Sequence, residues 1–134
     1  MLLLTRHFPA FYLYANGLVY LLLAWLFASD GAAWFANLGI VLNEAGGYTE
    51  LRATYVGLFI GLGLFFLLCA RIVAWRVAGL SLALISYTWL ALVRGYGLFI
   101  RGEGNALMGQ LLLSEVLLIV FALLGLYCLQ RRPQ

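Results

Sequence analysis

The sequence predicts an all-α membrane protein, a bundle of four transmembrane helices with a short interfacial helix between the first and second. Three observations predict it. Of 134 residues, 66% are hydrophobic and 10% charged, where soluble domains average roughly 45–50% apolar and about 25% charged. The apolar residues gather into four runs, each close to the ~20 residues that a hydrocarbon core of about 30 Å requires at 1.5 Å per helical residue. Four crossings take roughly 80 residues and leave about 50 for connections, so a single membrane domain fills residues 1–134.

The first run, residues 8–28, follows a head that carries Arg6 and His7. Its 21 residues exceed the roughly 7–15 of a signal-peptide core, which makes it an uncleaved crossing. The connection that follows contains Trp34, Phe35, Leu38 and Val41 at helical spacing. Residues 32–42 are too few to span, so they are read as a helix lying along the membrane surface, ended by Gly46 and Gly47. The second and third runs, 51–70 and 73–94, form a tight hairpin because only a few residues, bracketed by Arg71 and Arg76, separate them. Four glycines between 95 and 104 suggest a mobile or re-entrant outer loop before the fourth run, 107–129. The second, third and fourth runs contain no proline, so each can continue unbroken.

Charge placement orients these spans. Arg supplies all eight basic side chains, against five acids, for a net charge of +3. With the N-terminus in the cytoplasm, Arg6, Arg71, Arg76, Arg131 and Arg132 fall inside, and Arg52, Arg94 and Arg101 outside. The long first connection carries Asp30 and Glu44 and no basic residue, which strengthens the assignment. Both termini are therefore expected in the cytoplasm of a bacterial inner membrane; the use of Arg alone, with abundant Ala, Gly and Leu, fits a GC-rich bacterial genome. Scattered rather than clustered basic residues argue against a nucleic-acid partner. One His and two separated cysteines offer no metal or haem ligand set, and no cofactor is expected.

The residues that draw attention are polar groups at the outer ends of the spans. Glu50, Arg52 and Tyr55 open the second, Arg94 closes the third, and Glu115 lies two turns into the fourth. Ionisable groups in hydrocarbon face a partner or a cavity because each costs at least about 2.5–3.5 kcal/mol near the centre. Helices three and four are antiparallel, which brings Arg94 within a turn of Glu115, and Arg52 is expected to reach Glu115 or pair with Glu50. Such a group is either a structural clasp or an outward-facing pocket, net positive, for an anionic head or carboxylate. Asn16, flanked at four-residue spacing by Tyr12 and Tyr20, must find a hydrogen bond, either as packing glue or as a deeper ligand contact. Gly57 and Gly61, in line with Glu50 and Thr54, read first as a packing step within the bundle and second as a face for a homodimer.

The stretch Glu50-Leu51-Arg52-Ala53-Thr54-Tyr55-Val56-Gly57-Leu58 resembles the signature E-L/I-R-A-x-Y-G-G-L at the start of the second helix in a bacterial family of small four-helix membrane proteins. That family is characterised only as a domain of unknown function. Val56 stands where its pattern has the first glycine. The resemblance implies a left-handed four-helix bundle and attention to Glu50, Arg52 and Tyr55; it implies no activity.

Three classes of function follow. The first is a small binding or accessory protein whose outward-facing pocket, formed by Glu50, Arg52, Tyr55, Arg94, Glu115 and Asn16, holds an anionic lipid-like amphiphile or a partner membrane subunit. The surface helix around Trp34 and Phe35 would roof that pocket. The second is a small dimeric transporter or channel using Glu115. The third is an enzyme acting on a lipid or quinone, with Glu50 or Glu115 as acid or base; no catalytic residues are assigned, since no His, Ser/His pair or Asp-rich motif supports it.

Overall fold

The computed structural model describes residues 2–41 and 44–130, with side chains from residue 7 onward except that of residue 45. Leu42, the last residue of the expected surface helix, lies outside the described residues, as do Arg131, Arg132 and the Arg6 side chain. Among the described residues there are helices and turns and no strands. Helix α1 (Leu2–Ser29) is followed by the short α2 (Gly31–Asn37). Helix α3 (Ala45–Arg52) runs through a π-helical segment, Ala53–Leu58, into α4 (Phe59–Arg71). A 3₁₀ turn, Val73–Trp75, then leads to α5 (Arg76–Phe99), and α6 (Ala106–Gln130) completes the order. Four stretches are long and apolar enough to cross a membrane: His7–Ser29, Gly46–Arg71, Val73–Phe99 and Ala106–Gln130. Their outer faces expose large apolar side chains such as Phe11, Leu18, Trp25, Leu64, Trp89 and Leu113, a surface suited to hydrocarbon rather than water.

Helix α1 is the most enclosed span, with 39% of its most apolar stretch buried against 22%, 22% and 17% for the others. It packs against α4 on one side and α6 on another, and α5 packs mainly on α6. Glycines set the closest approaches. A Cβ on Gly17 would lie 2.9 Å from the Gly63 carbonyl oxygen, and one on Gly63 would lie 3.0 Å from that of Gly17. The two backbones therefore touch where α1 crosses α4. Gly79 leaves room in the same way for Cys69 and Leu13, and Gly125 for Leu80. Gly57 and Gly61 do neither: nothing lies within 4 Å of a Cβ at either position, so the expected packing step inside the bundle is absent.

Helix ends account for the connections. Asp30 caps α2 by accepting the Ala33 N–H, and the helix stops at Gly39, whose φ of 78° only glycine adopts readily. The bonds Gly39 N to Ala36 O and Ile40 N to Phe35 O, both 2.9 Å, form a Schellman motif. The short helix thus ends well before Gly46 and Gly47, which belong to α3. Arg76 closes the α4–α5 hairpin by donating from Nε and Nη2 to the Ala70 carbonyl at 3.2 and 3.1 Å. Beyond it, α5 continues through Gly95 and Gly97 to Phe99, so the first half of the glycine-rich stretch is helix and only residues 100–104 form the turn. A glycine costs a helix only about 1 kcal/mol, less than leaving backbone groups unpaired in apolar surroundings. In α1, Pro9 is accommodated within the helix, fully buried.

Candidate functional site

The Phe99 end of α5 and the Ala106 end of α6 carry a largely buried ion pair. Arg94 lies about 8 Å below the end of α5, and Glu115 roughly 14 Å below the start of α6, at 1.5 Å per residue. Arg94 donates from Nε to both carboxylate oxygens at 3.1 Å and from Nη2 to Oε1 at 2.8 Å. The Glu115 side chain is 9% exposed and that of Arg94 23%. Arg94 also directs Nη1 at the Met108 sulfur, 3.1 Å away. Sequence reasoning placed this pair correctly, since two antiparallel helices joined by a short turn bring these positions within reach of an arginine side chain.

Beside the pair is a cavity of about 240 Å³ between the two helix ends. Arg94 is among its lining residues, with Met108, Leu90, Val93 and Leu98 as apolar neighbours. Gly97 and Glu103 complete the lining. The turn after α5 brings Glu103 there: its backbone N–H donates to the Gly97 carbonyl at 2.9 Å, and Gly102 takes a φ of 66° to allow the reversal. Asn105 then caps α6 by accepting the Met108 N–H at 3.0 Å. Glu103 also accepts from Arg101 Nε at 2.7 Å, in an exposed pair. The lining therefore holds one arginine, Arg94, and one acid, Glu103, and not the positive concavity expected.

The other expected site residues are elsewhere. Glu50 and Arg52 are exposed, and neither forms an ion pair among the described residues, so Arg52 reaches neither Glu115 nor Glu50. Arg52 instead extends toward the head of α2, its Nε 4.0 Å from where a Cβ on Gly31 would stand. Tyr55 belongs to an aromatic cluster, its ring 4.7 Å from that of Phe27 and 5.4 Å from those of Phe35 and Phe59. Through these rings α2 packs on α1 and the π-helical segment, so it roofs the aromatic cluster and not the cavity.

Asn16 is buried and satisfied. It donates from Nδ2 to the Tyr12 carbonyl at 2.8 Å and accepts from the Tyr87 hydroxyl at 2.5 Å. Tyr12 in turn donates to the Leu118 carbonyl at 2.9 Å. These bonds tie α1 to α5 and α6 in the interior of the bundle, where an unpaired polar group would be costly. They run from a phenol to an amide to backbone carbonyls, and an amide does not relay a proton. Sequence reasoning missed Tyr87, Met108 and Glu103. Tyr87 was detectable, because it precedes Arg94 by seven residues and shares its helical face.

Among the described residues no three of His, Cys, Asp and Glu come together as a metal would require. What the arrangement offers is a guanidinium held by a carboxylate beside apolar side chains, with Glu103 in the same lining. The chain matches no protein-family model, no curated protein and no solved structure.

Proposed function

We propose that this chain is a multi-pass membrane protein that binds a lipid-like amphiphile in the cavity between the outer ends of α5 and α6. The observation that supports this most is the cavity's composition. Arg94 is fixed in place by Glu115 and retains N–H donors for an oxyanion, while Leu90 and Val93, 43% and 68% exposed, lead from the same cavity onto the lipid-facing side of α5. The role is that of a small binding or accessory protein. Transport through Glu115 is less well supported, because the polar contacts inward of it end on an amide and carbonyls rather than on a continuous titratable path. For an enzyme reading, no base is poised beside a nucleophile among the described residues.

In this reading the four spans insert in a bacterial inner membrane with both termini in the cytoplasm. The five arginines of the inner end and the acids of the outer end support that orientation. α2 lies near the outer interface, and kinship with the small four-helix family that residues 50–58 resemble belongs to the same proposal.

The test is thermal unfolding of detergent-purified protein with and without added total membrane lipid. A ligand at a hundredfold its Kd stabilises by about 2.7 kcal/mol, so wild type should shift upward. Gly97→Leu should not: its Cβ has open space, the nearest atom being the Glu103 carbonyl oxygen at 3.9 Å, and the added side chain fills the cavity. Equal shifts in both proteins contradict binding in this cavity.

A further inference from the structure

The two charges that line the cavity differ in how firmly each is engaged. Arg94 gives Nε and Nη2 to a carboxylate but Nη1 to a thioether sulfur, a weak acceptor that a phosphoryl or carboxyl oxygen readily displaces. Glu103 is engaged only by Arg101, its side chain 61% exposed, and an exposed pair of that kind is worth little. The turn fixes Glu103 over Gly97, one helical turn beyond Arg94 on α5. Arg94 and Glu103 thus both line the cavity, the Glu103 carboxylate exposed and held only by Arg101, and Leu90 and Val93 lead away into lipid. Glu115 already neutralises Arg94, so a purely anionic head would gain one hydrogen-bonded oxygen and meet the Glu103 carboxylate as a like charge. A head that carries both signs satisfies both groups.

We infer that the cavity selects a zwitterionic amphiphile with a primary ammonium, of the phosphoethanolamine class. The inference rests on the binding reading above. A phosphoryl oxygen accepts from Arg94 in place of the Met108 sulfur, the ammonium donates to Glu103, and the acyl chains run along Leu90 and Val93. Choline heads fit less well. A quaternary ammonium has no N–H to donate and is held by aromatic cages, whereas no aromatic ring lines this cavity.

The test is native mass spectrometry of delipidated protein offered an equimolar mixture of phosphatidylethanolamine, phosphatidylcholine and phosphatidylglycerol of one chain length. Wild type should retain the ethanolamine lipid about fivefold over either competitor, which corresponds to ~1 kcal/mol. Glu103→Gln, an exposed change outside the core, should bring ethanolamine and choline lipids level, and Arg101→Gln, which frees Glu103, should widen the preference. A parallel arm adds soluble glycerophosphoethanolamine: displacement of the bound lipid assigns recognition to the head alone, and failure to displace assigns it to head and chains together, the zwitterion being recognised in both cases. Wild-type preference for the glycerol lipid overturns the zwitterion assignment and leaves lipid binding intact. Retention no greater than that of Gly97→Leu overturns both.

Discussion

Replacing Glu115 with glutamine should lower the stability of the detergent-solubilised protein by roughly 3 to 5 kcal/mol, the cost of removing one partner from a buried ion pair. The value should fall toward the lower end, because the Arg94 side chain is 23% exposed and water can reach the guanidinium. The loss has a specific origin. Two charges withdrawn from water repay their desolvation only through each other, and here the repayment is concentrated in three short contacts between Arg94 and Glu115. Glutamine preserves the shape but removes the charge, leaving a guanidinium with no counter-charge in an apolar wall. Arg94→Gln in the same background should therefore recover part of the loss. A double-mutant cycle of thermal or denaturant unfolding measures the coupling, and strictly additive single changes would show that the two residues do not act as a pair.

A second large effect is expected where α1 crosses α4. Gly17→Ala places a methyl 2.9 Å from the Gly63 carbonyl oxygen and 2.7 Å from the Leu67 Cγ. Leu67 can move, but the carbonyl belongs to a helix backbone, so the helices must separate. Overpacking of this kind costs about 1 to 3 kcal/mol, and Gly17→Val, with two further carbons, should exceed the alanine cost. Gly61→Ala is the control. It lies on an open face with nothing within 4 Å, and the gain in helix propensity, up to about 1 kcal/mol, should leave stability unchanged or raised. Unfolding of the three variants in one detergent gives the comparison, and equal losses at positions 17 and 61 would contradict the crossing.

These two results also mark what can be read from the residues alone. The four apolar runs and the Arg94–Glu115 pair follow from span length and from counting across an antiparallel turn. Spacing was a poorer guide to the glycines. Gly57 and Gly61 have the four-residue step of a packing motif, yet the contact is made by Gly17 and Gly63, on different helices and in no shared motif. The π-helical segment Ala53–Leu58 explains part of this failure. One widened turn shifts the angular position of everything beyond it, so the alignment of Glu50 and Thr54 with Gly57 and Gly61 assumed from a regular helix does not hold. The same segment lies between Arg52 and α4, and Arg52 ends beside α2 rather than Glu115. The cavity was out of reach for a different reason. Its rim acid, Glu103, comes from a turn whose path depends on the Gly97 carbonyl and on Gly102, and a glycine-rich stretch read as loop gives no sign that α5 continues to Phe99.

Whether the cavity between α5 and α6 holds an amphiphile is measured most directly by native mass spectrometry of protein extracted gently from its own membrane. Wild type should carry one tightly retained lipid per chain through the activation energy that strips the bulk detergent and annular lipid, and Gly97→Leu should emerge bare under the same conditions with its fold intact by circular dichroism. A wild-type protein that emerges as bare as Gly97→Leu, or a variant that retains the same lipid in the same amount, contradicts a binding site there and leaves Arg94 and Glu115 as a clasp between two helices.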